Sequence, residues 1–594
     1  MRSRNVLLAL AVVTLPAPPA PAADGPPDGW LTSAPPADVV RRFSSDRESV
    51  RAFYSLEAGS RRSARLTEFY RGWAERLEAM DFDALDADGR IDWLLLRREV
   101  DRALPAIARR TERLDEIRDL VPFADEILSL EEARRALEDV DSQAAAGRLA
   151  ELTEEVKELK RQVRGPGGKD ADESEEDDGS EDVRRETNPV LAQRAARVTD
   201  EVRDVLEHWY GSYADYRPDF GWWMDEPYRE LSEALEEYAE HLREKVAGLK
   251  GEDDDPLVGD PLGRGALLEE IAGELIVYSP EELLEIAQRE LAWCQERMKD
   301  AAGRLGYDDP SAALEYVKGL HEPPGQQNEL VAEQARASIE WLDARDLVTV
   351  EPLCRETWRV EMLSKKAQRI TPFAAYGGQS MLVAYPTRDM DHETKEMSLR
   401  GNNRHFTRIV TPHELIPGHH LQGYMARRYA AHRRVFWTPF LVEGWALYWE
   451  MVLWDQGFAE SPEDEIGMLF WRMHRCARIL VTIRFHLGEM TSEEMVDFLV
   501  DRIGHEKHTA MSEVRRYVGD SYSPLYQCAY MLGGLQLRAL SRELVDTGRM
   551  TLKEFHDAVL RQGSIPVALI RARLTGENLT RDWTTDWRFA DETR

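Results

Sequence analysis

Cysteine is scarce: the 594 residues contain four, Cys294, Cys354, Cys476 and Cys528, widely spaced and with no C-x-x-C pair. Four cysteines allow three pairings and spacing selects none, so buried free thiols are expected at least as much as bridges. Positive charge is also in deficit. Against 110 Asp and Glu there are 77 Lys and Arg, a net charge of −33, which argues against nucleic acid or anionic lipid as partner. No stretch beyond the leader approaches the about 20 apolar residues that span a bilayer. Strand patterning is nearly missing too. The one convincing strand lies in residues 379–385, around Ser380-Met381-Leu382-Val383-Ala384-Tyr385.

Helical patterning fills the rest, and the expected fold is mainly α. Residues 1–23 read as a signal peptide: Arg2 and Arg4, an apolar run over 6–15, then Ala20-Pro21-Ala22 as the cleavage site. With no cysteine beside that site, an exported soluble protein without a lipid anchor is expected. Residues 36–164 form an N-terminal helical region, with Trp73, Leu77, Met80, Ile91, Leu94 and Leu95 on apolar faces. Residues 125–163 read as one long helix. Leu149, Leu152, Val156, Leu159 and Val163 recur on it at spacings of three and four, a seam whose default partner is another helix of the same chain. Gly165-Pro166-Gly167-Gly168 stops it. Residues 169–182 hold one apolar residue, Ala171, and cannot repay the entropy of ordering, so 165–186 read as an acidic disordered linker. Residues 187–594 read as a second helical region. In it Tyr210, Tyr213, Tyr216, Phe220, Trp222 and Trp223 read as core or as the wall of a cleft. Ser279 before Pro280, Thr491 with Glu494, and Thr551 with Glu554 are helix starts.

Chemistry concentrates in Thr411-Pro412-His413-Glu414-Leu415-Ile416-Pro417-Gly418-His419-His420-Leu421-Gln422. Zinc in a catalytic site takes imidazole and carboxylate ligands and keeps one position open. A helical His-Glu-x-x-His presents both rings on one face, but here two extra residues intervene. On an unbroken helix His419 would lie about 240° around and about 9 Å along from His413, out of reach of a shared ion. Pro417 cannot donate its backbone bond, and Gly418 takes dihedrals closed to other residues. Together they predict a break that swings His419 back beside His413. Glu443, at the start of an apolar helix with Trp445, Trp449 and Val452 on one face, is the third ligand expected. A carboxylate among Phe440, Leu441, Val442 and Trp445 is costly unless paired or bound to metal.

The segments His413-Glu414-x-x-Pro417-Gly418-His419-x-x-Gln422 and Glu443-Gly444-Trp445-Ala446-Leu447-Tyr448 resemble the bacterial domain of unknown function 885 family, which is similar to gluzincin-type zinc metallopeptidases. Weaker matches are Arg90-Ile91-Asp92-Trp93-Leu94-Leu95-Leu96, Ser279-Pro280-Glu281-Glu282-Leu283, Arg516-Tyr517 and Tyr530-x-x-Gly533. The family usually has Gln four residues before that tyrosine; here Tyr526 stands there and Gln527 follows. The resemblance implies a large helical enclosure around a zinc-site helix pair, with a small edge strand or sheet beside the cleft. It implies zinc as cofactor, held by His413, His419 and Glu443, and a peptide substrate along the edge strand. Zinc acidifies a water toward a pKa of about 7 and polarises a carbonyl. Glu414 is then the general base and Tyr530 the oxyanion donor, with Tyr517 and Tyr526 as alternatives. Arg516 and Arg538 could hold a substrate carboxylate, with Tyr517 beside them. His420 is expected near the site but outside the ligand set. Two other readings stand beside the peptidase: a zinc amide hydrolase on a non-peptide substrate, and an inactive helical binding protein.

Overall fold

The structure, a computed structural model, describes residues 34–165, 185–251, 255–519 and 522–591. The signal peptide (1–23) and the acidic run (169–182) expected from the sequence lie outside the described residues. The chain is mainly α, with a two-stranded and a three-stranded sheet among the described residues. None of the described helices is long and apolar enough to cross a membrane.

Two hydrophobic cores organise the helices. The smaller runs from Ile117 to Ala247 and takes in Leu56. In it the Ser142–Gln162 helix packs on the Pro218–Glu240 helix. Leu149, Leu152, Val156 and Leu159 are all buried, so the seam is filled from within the chain. Each such leucine contributes about 1.5–3 kcal/mol. The single long helix expected over 125–163 is instead two, Ala124–Arg135 and Ser142–Gln162. Leu137 adopts a positive φ of 60° between them, and the Asp141 carboxylate accepts from Ala144 N–H to cap the second. Both sides of the acidic run share this core. Val163–Arg164 pairs in parallel with Arg185–Glu186. The aromatic cluster divides: Phe220 is buried, whereas Tyr216 and Trp222 are each 82% exposed.

The larger core joins the first helices, from Val39 to Val100, to everything from Leu267 to Ala590. The helix starts expected at Ser279, Thr491 and Thr551 all form; Thr491 and Thr551 make the capping boxes their spacing predicts, and Ser279 makes one with Glu282 as well. At its centre the Pro439–Asp455 helix is buried on nearly every side, which fits a sequence apolar all round. It crosses the Tyr526–Ser541 helix at Gly444 and Gly533. A Cβ on Gly533 would lie 1.9 Å from the Phe440 carbonyl oxygen, and one on Gly444 2.6 Å from Gly533 Cα. Only the absence of side chains there lets the two backbones approach so closely.

The strand expected in 379–385 forms as Ser380–Val383, but it is the centre of the sheet and not an edge. Arg359–Met362 pairs with it in parallel and Ala374–Tyr376 antiparallel. Its alternating apolar residues bury Met381 and Val383, and a strand with a buried face attracts partners on both sides. The free edges therefore belong to its neighbours. All four cysteines are buried free thiols.

Candidate metal centre

The Arg404–Glu414 helix is started by Asn403, whose side-chain oxygen accepts from the N–H groups of His405 and Phe406 at 3.0 Å. It buries Phe406, Ile409, Val410 and His413, a spacing of three, one and three that fixes one helix face inward. At Leu415 the backbone leaves helical geometry, with φ −106° and ψ −104°. The Ile416–Pro417 bond is cis, Gly418 N–H turns back to the Pro412 carbonyl at 2.9 Å, and a new helix, His419–Ala426, begins. A Cβ on Gly418 would fall 1.8 Å from the His413 carbonyl oxygen. Trp445 Nε1 donates to the Pro417 carbonyl at 2.9 Å and ties the break to the next helix.

The break brings the two imidazoles together. Their centroids are 4.9 Å apart with planes at 89°, in place of the separation an intact helix would impose. Glu443 Oε2 lies 3.1 Å from His419 Nε2 and 3.7 Å from His413 Nε2. One ligand atom from each of the three falls within 4.8 Å of the others, and all three residues are buried. The other ring nitrogen of His413, Nδ1, donates to Glu450 Oε1 at 2.7 Å. That bond makes Nδ1 the donor and turns Nε2 toward Glu443, as a carboxylate behind a metal-ligating histidine does. Two imidazole nitrogens and a carboxylate oxygen are a donor set that zinc accepts in catalytic sites, so the residues fit the ion.

Charges within the cluster are strongly coupled. Burial works against a charged His413, but its hydrogen bonds to the Glu443 and Glu450 carboxylates outweigh it and push its pKa up to about 9. Burial likewise opposes ionisation of Glu443, yet His419 and His413 hold its carboxyl well below the usual range. The Tyr526 hydroxyl donates to the other Glu443 oxygen, Oε1. Burial first, then the Glu443 charge, drives that phenol far above its ordinary pKa, so it stays a donor. Tyr526 thus occupies Glu443 from the position where the family usually has Gln, while the buried Gln527 amide has no hydrogen-bond partner among the described residues.

Glu414 ends its helix beside His413, buried, with no hydrogen bond among the described residues. The Tyr530 ring lies 6.1 Å from that of His413 at 13°, and its oxygen accepts from Arg516 at 3.3 Å. The phenol proton is therefore left to donate elsewhere. His420 is turned away. Its Nε2 donates to the Cys354 carbonyl at 2.9 Å, and its Nδ1 meets the Tyr376 hydroxyl at 3.2 Å.

The structure does not bring the remaining expected residues to the triad. Arg538 pairs with Asp455 at 3.1 Å, two helical turns beyond Tyr530, or about 12 Å. Tyr517 donates to Glu513 at 2.6 Å and accepts from Arg478 at 2.9 Å, inside a buried network that meets Tyr530 through Arg478 but has no bond to the triad. Other residues at the site escaped the sequence reading. Glu450 follows Glu443 by seven residues, a spacing that returns to the same helix face, and this was the available signal. Tyr376, whose ring lies 6.1 Å from that of His419, and Arg475 carry no local signature. A cavity of about 1410 Å³ lies far from this chemistry, lined by residues such as Arg42, Trp73 and Asp125, and none of the triad borders it.

Residues 53–574 match the family described as bacterial protein of unknown function, DUF885. The chain belongs to this family. It is also similar in fold to two solved structures. One is a "putative lipoprotein of unknown function" from Shewanella oneidensis, with TM-score 0.65 and 17% identity over 91% of this chain and 100% of that one. The other is a "putative lipoprotein" from Colwellia psychrerythraea, with TM-score 0.55 and 17% identity over 91% of this chain and 98% of that one. No curated protein matches the chain.

Proposed function

We propose that this DUF885 member is an exported zinc-dependent peptidase, similar in its chemistry to the gluzincins and acting on short peptides. The observation that carries the reading is the convergence of His413, His419 and Glu443, buried within 4.8 Å of one another, with Glu414 adjoining. Three charged or basic groups in one apolar interior are expensive, and a cation shared between them removes that cost. Zinc would supply Lewis acidity there, acidifying water and polarising the substrate carbonyl.

The chain's own residues do the remainder. Glu414 takes a proton from the attacking water and returns it to the leaving amine. Tyr530, its oxygen already held by Arg516, directs its proton at the developing oxyanion. Glu450 holds the His413 ring in place, and Tyr526 holds Glu443. The Ala374–Tyr376 strand pairs only on its Ser380–Val383 side and reaches the site through Tyr376. An extended peptide adding to its free edge would place a backbone carbonyl near the triad.

The test is incubation with a peptide mixture, with and without chelator, read by mass spectrometry. Chelation should stop cleavage. Glu414→Gln keeps the shape and the metal but removes the proton acceptor, so turnover should fall by about 10²–10⁴-fold with zinc retained. An active, zinc-loaded Glu414→Gln protein would falsify this mechanism.

A further inference from the structure

The Pro462–His486 helix carries Arg475 and Arg478 beside the candidate centre. Arg478 is claimed by its surroundings, donating to Glu513 at 2.7 Å and to Tyr517 at 2.9 Å. Arg516 is partly claimed through its bond to Tyr530. Arg475 is not. It is 5% exposed, yet none of its nitrogens makes a hydrogen bond among the described residues, and its Nε is wholly enclosed. The nearest carboxylate oxygen, Glu450 Oε1, is 3.6 Å away and already accepts from His413 at 2.7 Å.

A guanidinium has five N–H donors and is always charged. Leaving its donors buried with only a distant carboxylate and no hydrogen-bond acceptor costs far more than leaving a neutral group so. What Arg475 touches is aromatic: its cation lies 4.7 Å from the Tyr530 ring centroid and 5.1 Å from that of Trp471. Ring faces attract the charge but accept no strong hydrogen bond, so the demand of the N–H groups persists. Tyr530, the same side chain that stacks on His413, sets this cation and its unfilled N–H groups one residue away from the triad.

We propose that Arg475, helped by Arg516, is an anion subsite that takes a carboxylate of the substrate. A planar carboxylate meets the guanidinium edge with two parallel N–H···O bonds. Resting on the peptidase reading above, this narrows the substrate class to peptides presenting a carboxylate close to the scissile bond, which the free C-terminus of a short peptide does. Such a site favours cleavage near the C-terminal end over internal bonds of long chains.

The test reads binding, not turnover. Pooled N-acetylated tripeptides of varied side chains, as free acids and as C-terminal amides, are equilibrated with the full chain carrying Glu414→Gln. The bound fraction is read by mass spectrometry, alongside metal content and melting temperature. Free acids should be retained about tenfold or more over amides, the worth of a charge-assisted pair. Arg475→Gln in that background should erase the preference with metal retained, and Arg475→Lys should keep part of it. Equal retention of acids and amides, retention of neither, or a preference that survives Arg475→Gln overturns the subsite. So does loss of the metal with the preference intact, because Arg475 would then serve Glu450 and not a ligand. A protein that prefers acids yet cleaves nothing would sink the peptidase reading and leave the subsite standing.

Discussion

Gly418→Ala is the sharpest single perturbation available. The added Cβ would sit 1.8 Å from the His413 carbonyl oxygen, 2.5 Å from its carbon and 2.6 Å from the Pro412 carbonyl oxygen, whereas ordinary contact begins at 3.4 Å. All three atoms are backbone, so no side-chain rotation relieves the clash. The chain must open by more than an ångström between His413 and His419, the residues on either side of the break. Ligand positions in a metal site are held to within about 0.2 Å, so metal affinity should fall by at least about 10²-fold. Overpacking of this kind also costs about 3 kcal/mol or more of stability. Gly423→Ala is the control. It lies in the His419–Ala426 helix, and its Cβ would meet only the Arg427 guanidinium at 3.6 Å and the Tyr376 ring at 3.8 Å. Helix propensity predicts a gain of up to about 1 kcal/mol there. Denaturant melts and zinc titration against a chromophoric chelator read both arms. If Gly418→Ala melts and binds zinc like its parent, the backbone break is not what assembles the site. The stability arm stands whichever metal the site takes.

Two further outcomes follow from named contacts. His419→Ala should abolish metal binding. His420→Ala should retain it, losing only the bonds to Cys354 and Tyr376 at about 1–3 kcal/mol; metal analysis of both proteins decides, and the reverse pattern would exchange their roles. His556 is buried, accepting from Tyr448 at 2.9 Å and donating to Leu347 at 2.7 Å. Burial lowers its pKa to about 4, against hydrogen bonding to Leu347 that raises it. A folded-state pKa below the unfolded value means that the neutral form is favoured by folding. Its contribution is whole above about pH 6.5 and is lost as pH falls through about 4. It amounts to about 3 kcal/mol. His556→Gln should flatten the acid limb of the stability profile in that window; an unchanged limb would mean the acid sensitivity resides elsewhere.

Much of this protein is legible one residue at a time. Helical periodicity carried the mainly α class and the seam from Leu149 to Leu159, and residue spacing carried the capping boxes at Thr491 and Thr551, because a helix face and a helix start are set by neighbours within one or two turns. The His413-to-His419 spacing excluded an intact helix if both rings were to share one ion, and Pro417-Gly418 named the place of the break. What the sequence could not hold is the meeting of distant segments. Nothing local separates Arg538, paired with Asp455, from Arg475, whose guanidinium lacks a hydrogen bond only because the Pro462–His486 helix carries it beside Tyr530. The break between the two helices over 125–163 rests on Leu137 at positive φ, which the surrounding pattern does not announce. Likewise Ser380–Val383 became a central strand because Arg359–Met362 and Ala374–Tyr376 both found it, though neither reads as a strand alone. The Gly444–Gly533 crossing acquires its meaning only when the two helices are stacked: it brings Tyr526 onto Glu443 and Tyr530 onto His413. Periodicity and forbidden geometry are properties of a short segment, whereas the partner of a buried charge is a property of the packed whole.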